Sequence, residues 1–305
     1  MKISVSNGGV PVSDKELFRY LKDCGFDAVD FSLGKYFGRN GIFGDIDNVT
    51  DEQIKEYFTS LKAEADKADF EVGQVHSQFD GHPKSYDNDI EDVIKREIAC
   101  IKATHYLGCK YIVIHPIINR SRIYDYRIEE TFEDEKKFYS RLIPTLEEYD
   151  VYCCFENMWM VDPVYTNICT TIFSHAKEMV DMCDVMGDRF KICVDIGHGP
   201  ITQDDPAEMI RISGDRLAVI HAHDNDGISD LHAYPYSAYQ TPYSCAWKPM
   251  RINWDEILNA LDEVNYRGNL NFEINAPGPC EVKKFGYEYL AKIGRYMAAK
   301  RKIQY

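Results

Sequence analysis

Short apolar segments of period two alternate along the whole chain with longer segments whose apolar residues recur every three to four positions. The first pair sets the pattern: residues 2–7 alternate as a strand, Asp14 caps a run in which Leu17, Phe18 and Leu21 share a helical face, and Gly25 ends it. Strands are predicted again at residues 26–33, 71–79, 111–116, 151–157, 191–198, 216–223 and 268–275. Helices are predicted at 51–69, 87–107, 129–149, 170–186, 206–212, 254–264 and 281–300. Strands that are each followed by a helix imply parallel pairing with helical crossovers, and eight such units fit an α/β fold, a closed (β/α)8 TIM barrel formed by residues 1–305 as a single domain. An open doubly wound sheet is the other architecture with this alternation, but the first strand-to-helix turn lacks a Gly-x-Gly-x-x-Gly phosphate loop.

Within the strands the apolar residues keep one parity and a polar residue of the other parity stands at the end. Ile112 and Ile114 oppose His115, Cys153 and Phe155 oppose Glu156, Ile192 and Val194 oppose Asp195, and Phe272 and Ile274 oppose Glu273. The stretch 216–232, RLAVIHAHDNDGISDLH, concentrates this chemistry: Val219, His221 and His223 share a face, and Asp224, Asn225, Asp226, Asp230 and His232 crowd the loop behind them. In a barrel the active site forms at the carboxyl ends of the strands, where His76, His115, Glu156, Asp195, His223 and Glu273 all fall with inward parity. Their convergence predicts a metal site, in which the two Glu, the Asp and one of the histidines make a hard oxygen-rich set suited to Mn2+, Mg2+ or Co2+. Tyr36, Phe37 and Phe43, in the Gly-rich loop 34–44, are placed to overhang a pocket.

The net charge of −15 disfavours a polyanionic partner, because nucleic-acid binding draws on clustered Lys and Arg; no nucleic acid is expected. The first ten residues, MKISVSNGGV, lack the apolar core of a signal peptide, and no apolar run is long enough to span a bilayer. A soluble, cytoplasmic protein with no membrane partner is the expectation. The ten cysteines include no CxxC pair and many lie in apolar segments, which argues for reduced core thiols over a zinc finger or a disulfide framework.

The segments VHSQF, VIHP, FEN, VDIGH, HDNDG followed by SDLH, and FEIN resemble the xylose isomerase-like barrel superfamily of sugar isomerases, epimerases and apurinic endonucleases, over nearly the whole chain. By position, Glu156, Asp195, His223 and Glu273 resemble the four metal ligands of the ketose 3-epimerases, whose two glutamates also move protons, and His198 resembles their substrate-binding histidine. The resemblance therefore implies a metal-dependent sugar isomerase or epimerase working through an enediolate. Glu156 and Glu273 would be its catalytic pair and Mn2+ its expected ion, with Mg2+, Co2+ and Zn2+ as alternatives. In the endonuclease branch the further ligands would here be His76, His115, His198, Asp230 and His232, so three ions are conceivable; yet VIHPII, FENMWM and HDNDG depart from that branch. On the sugar reading His76, His115, His198, Asp230 and His232 bind substrate, and Trp159 walls the sugar ring.

One departure from the sugar branch is the expansion after SDLH into AYPYSAYQTPYSCAWKP, where Tyr234, Tyr236, Tyr239, Tyr243 and Trp247 are placed to form an aromatic lid or an interface. Three further readings stay open at this point: a lyase subunit that cleaves oxidised C-glycosides together with a small β-rich partner, an apurinic endonuclease-like phosphodiesterase, and a non-catalytic metal-binding scaffold. A small carbohydrate is the expected substrate, and a homo-oligomer is an open alternative to the β-rich partner.

Overall fold

Local signals set the helix ends. Ser13 and Glu16 close a capping box on helix Asp14–Cys24, and Gly25 terminates it at a left-handed φ of 103°. Thr50 and Gln53 repeat the box on Asp51–Lys67. The computed structural model describes residues 1–78, 90–117, 128–162, 164–237 and 252–302. Its strands are β1 (Ile3–Ser6), β2 (Ala28–Ser32), β3 (Glu71–His76), β4 (Tyr111–Val113), β5 (Tyr152–Glu156), β6 (Phe190–Asp195), β7 (Leu217–His221) and β8 (Leu270–Phe272). They form one eight-stranded sheet in sequence order, with β8 against β1 and every pairing parallel. A bridge between Ala222 and Phe272, with Ala222 N–H donating to Asn271 O at 2.7 Å, joins the β7 end to β8 and brings the ring round to a (β/α)8 TIM barrel.

Alternate residues of each strand face in opposite directions, and the two directions meet different surroundings. Val29, Phe31, Ile112, Phe155, Ile192, Ile220 and Phe272 point out and are covered by helices such as Ile90–Tyr106 and Cys280–Lys300. The Phe155 and Phe190 rings stack there at 5.2 Å, and truncating either to Ala would cost about 3–5 kcal/mol. Inward, Val113, Cys154, Cys193 and Val219 make a small apolar floor, and one step further along the same strands the lumen turns polar.

Three sequence expectations change. Tyr36 and Phe37 are fully buried rather than overhanging a pocket: residues Gly34–Phe37 form a helical turn, Tyr36 Oη donates to Asp14 at 2.8 Å, and Phe37 stacks between Phe43 and Phe58. The run 129–149 is two helices, Ile128–Ser140 and Ile143–Glu148, because Pro144 lacks the N–H that a continuous helix needs and instead opens the second. The run 170–186 is helical only over Ala176–Met186. Upstream, Ile168–Thr170 pairs antiparallel with Trp159–Val161, and Phe173 takes a φ of 67° that no helix continues through. Among the described residues no helix is long and apolar enough to cross a membrane.

Candidate metal centre

The strand ends deliver their polar residues into one space. Glu156, Asp195 and His221 are the last residues of β5, β6 and β7, and Glu273 follows β8 directly. One ligand atom from each lies within 4.8 Å of the others. His221 Nδ1 is the hub, 3.0 Å from Glu156 Oε1, 3.3 Å from Glu273 Oε2 and 3.9 Å from Asp195 Oδ2. Glu156, Asp195 and His221 are buried.

Two groups flank this one, the first sharing Glu156 with it and the second adjoining it through Asp195. His76 and His115 present Nε2 to Glu156 Oε2 at 3.3 and 2.9 Å. On the other side His198, His223, Asp230 and His232 gather. Asp230 Oδ2 is 3.5 Å from His198 Nε2, and Asp230 Oδ1 is 3.2 Å from His232 Nε2 and 3.7 Å from His223 Nε2. Asp195 joins the groups, with Oδ1 3.1 Å from His223 Nε2. Backbone carbonyls fix two of the rings: His198 Nδ1–H donates to Asn157 O at 2.7 Å and His232 Nδ1–H to Glu273 O at 2.5 Å. His232 then stacks on His223 at 4.0 Å. Gly197 allows the close packing, since a Cβ there would run into the His223 ring.

Glu156, Asp195, Asp230 and Glu273 pair only with histidines among the described residues, with no Lys or Arg in reach. Burial alone would favour the neutral forms of Glu156, Glu273 and Asp230, but the neighbouring imidazoles outweigh it and hold all three below the usual carboxylate range. His221, His198 and His232 respond in the opposite sense. Burial opposes their charge, yet His221 is raised well above its ordinary value, His198 to about 10 by Asp195 and Asp230, and His232 to about 9 by Asp230 and Glu273. Concentrated negative charge that must draw protons onto imidazoles for balance suits a divalent cation, which would replace those protons. Three carboxylates and one imidazole also match the hard oxygen-rich donor set expected of Mn2+, Mg2+ or Co2+. Among the described residues sulfur enters only where Cys193 joins Glu156 and His221 in a further group.

His223 is therefore not the histidine that the structure groups with Glu156, Asp195 and Glu273; His221 is. Asp195 and His221 are opposite each other in the β6–β7 register, and His223 lies two residues further on, about 7 Å toward the loops. The signal was present in the IHAH run, where both histidines share parity; parity alone does not choose between them. Asn157 was also missed. It receives Asp195 N–H at 2.7 Å and donates to Asp195 O at 2.8 Å, so it clamps β5 to β6 beside the site. Trp159 lies near His198, with ring centroids 6.3 Å apart, and its buried Nε1 has no hydrogen-bond partner among the described residues. Tyr234 and Tyr236 pack toward Tyr289 and Tyr296 of the last helix, whereas Tyr239, Tyr243 and Trp247 lie outside the described residues.

Two sequence relatives are the uncharacterized proteins y4fM of Sinorhizobium fredii, 25% identical over 55% of this chain and 48% of its own length, and MJ1311 of Methanocaldococcus jannaschii, 26% identical over 75% and 74%. The chain thus spans about half of y4fM. Among solved structures, a D-tagatose 3-epimerase-like protein superposes with a TM-score of 0.69 at 20% identity, covering 97% of this chain and 99% of its own. The 3-keto-D-glucoside 4-epimerase YcjR from E. coli superposes at 0.67 and 17%, covering 96% and 99%. At these identities the superpositions speak for the fold. Residues 18–293 match the family model described as Xylose isomerase-like TIM barrel, and the chain belongs to that family.

Proposed function

We propose that this protein is a divalent-cation-dependent isomerase or epimerase of a sugar or sugar derivative, with Glu156 and Glu273 as its proton-moving pair. The observation that carries this reading is the approach of both glutamates to one imidazole nitrogen, 3.0 and 3.3 Å from His221 Nδ1, at the strand ends of the barrel. When bound by Glu156, Asp195, His221 and Glu273, a divalent cation supplies polarisation of a carbonyl and its neighbouring hydroxyl. One glutamate takes the proton from the carbon beside the carbonyl, and the other returns it. His198, held by Asn157, presents Nε2 to a substrate oxygen, and Asp230 and His232 bind a distal hydroxyl. Trp159 walls the ring and offers its N–H, which has no partner among the described residues. The epimerases named among the solved structures support a sugar as the substrate class.

A second reading has its own observation. The flanking groups His76, His115, Glu156 and His198, His223, Asp230, His232 extend the ligand set beyond what one cation needs, as a multi-ion phosphodiesterase would require. The net charge of −15 weighs against a nucleic-acid substrate. One screen separates the two: protein reconstituted with Mn2+ is offered free ketoses, sugar phosphates, 3-oxo-glycosides and an abasic oligonucleotide. Epimer or isomer formation with solvent deuterium incorporated beside the carbonyl supports the first reading. Cleavage of the abasic strand with no turnover of any sugar replaces it by the second.

A further inference from the structure

His221 turns Nδ1 to the carboxylates of the centre, so its other nitrogen, Nε2, must carry the proton when Nδ1 binds a cation, and a buried N–H needs an acceptor. Nε2 has no hydrogen-bond partner among the described residues, and the His221 side chain is fully buried. The group that faces it is Asp30 of β2, whose Oδ2 lies 3.8 Å away. Asp30 is itself 1% exposed, and its Oδ1 is also without a hydrogen bond among the described residues. A register shift between Val29 and Asp30 interrupts the β2–β3 ladder at this residue, the kind of irregularity that re-aims a side chain next to a site. Asn271 on β8 steadies it, donating from Nδ2 to Asp30 Oδ2 at 3.1 Å, while Ser4 Oγ donates to Asn271 Oδ1 at 2.9 Å and fixes the amide. The chain Ser4, Asn271, Asp30, His221 thus crosses the lumen beneath the site. Among the described residues Asp30 makes no ion pair with Lys or Arg; the charges that act on it are the imidazoles of His221 and His76 and the Glu273 carboxylate.

We propose that Asp30 is the positioning residue of the centre: its carboxylate accepts the Nε2–H of His221, sets the tautomer and leaves Nδ1 as the ligand. The inference rests on the metal-centre reading above. Closing 3.8 Å to the roughly 2.9 Å of an ordinary N–H···O bond takes a sub-ångström movement. A carboxylate behind a ligating imidazole also raises its basicity and hence its hold on a cation. In metal-free protein the same buried acid works against folding, because the Asn271 amide and the imidazoles of His221 and His76 compensate its lost hydration only in part. The two consequences have opposite signs, and this separates positioning from a plain structural role.

The test compares wild type with Asp30→Asn, both stripped of metal, by calorimetric titration with Mn2+, by the visible spectrum of the Co2+ forms and by metal-free melting temperature. The variant is expected to bind Mn2+ about 10–100-fold more weakly, with an altered Co2+ spectrum, while its metal-free form melts no lower than wild type. Equal affinities overturn the proposal, and so does a loss of affinity that comes with a lower metal-free melting temperature. Wild type that binds no divalent cation overturns the metal-centre reading itself. Should the asparagine variant not fold, Asp30→Ser gives the same comparison, and unchanged affinity there is equally decisive against Asp30.

Discussion

Asp195 and His221 stand directly opposite each other in the pairing of β6 with β7, while His223, two residues on, reaches the same aspartate from the loop side at 3.1 Å. One carboxylate therefore sits between two histidines that belong to different groups. This makes the two imidazoles separable by experiment. His221→Ala should lower affinity for the principal cation by roughly a hundredfold or more, whereas His223→Ala should leave about one equivalent bound. Metal analysis after dialysis against a limiting chelator reads this. Loss of the cation in the His223 variant alone would return His223 to the ligand set.

The glutamate pair carries the chemistry in the proposed function, so amide replacements should hurt turnover far more than folding. Glu156→Gln and Glu273→Gln are each expected to reduce kcat by about 10²–10⁴-fold with unaltered secondary structure. Solvent deuterium exchange into substrate should fall in parallel. Full activity in both variants would exclude the carboxylates from proton transfer.

The flanking group predicts a pH dependence whose sign reverses with metal. His198 and His232 hold protons up to about 10 and about 9 when folded, against an ordinary 6.5. Folded protein thus binds more protons than unfolded protein across that window. Their contribution to metal-free stability is complete below about pH 6.5 and is lost as pH rises through 9 to 10. A cation competes with these protons, so stabilisation by Mn2+ should grow over the same range. Melting curves at pH 6.5, 8 and 9.5, with chelator and with Mn2+, check both slopes; parallel curves would contradict the coupling.

Glu97 offers a test away from the cation. Burial pushes its carboxyl up to about 7, while Ser77 and Gln78, the two residues after His76, hydrogen-bond to it. The folded group holds its proton above the ordinary 4.5, so its contribution is complete below that value and is lost as pH rises through about 7. Glu97→Gln stays neutral and should gain on wild type by the order of 1–3 kcal/mol between pH 5 and pH 8. Urea midpoints at the two pH values measure it. A difference independent of pH would mean that Glu97 is already ionised in the fold.

The sequence by itself determined the barrel and which side chains enter its lumen. Period-two alternation is a local property: once residues 151–157 are extended, Cys154 and Glu156 must point one way and Cys153 and Phe155 the other. The strand-end positions of His76, Glu156, Asp195 and Glu273 were legible for the same reason. Tertiary structure decided what depends on pairs of distant segments. Register between β6 and β7 chose His221 over His223, because both share parity and only the height along the neighbouring strand distinguishes them. Packing against Asp14, Phe58 and Phe43 drew Tyr36 and Phe37 inward from a loop whose composition suggested a rim. The irregular step at Asp30 put a carboxylate from β2 behind a histidine from β7, and no spacing within either segment encodes that contact. Parity is written residue by residue, whereas register and packing are set by the energy of whole surfaces meeting.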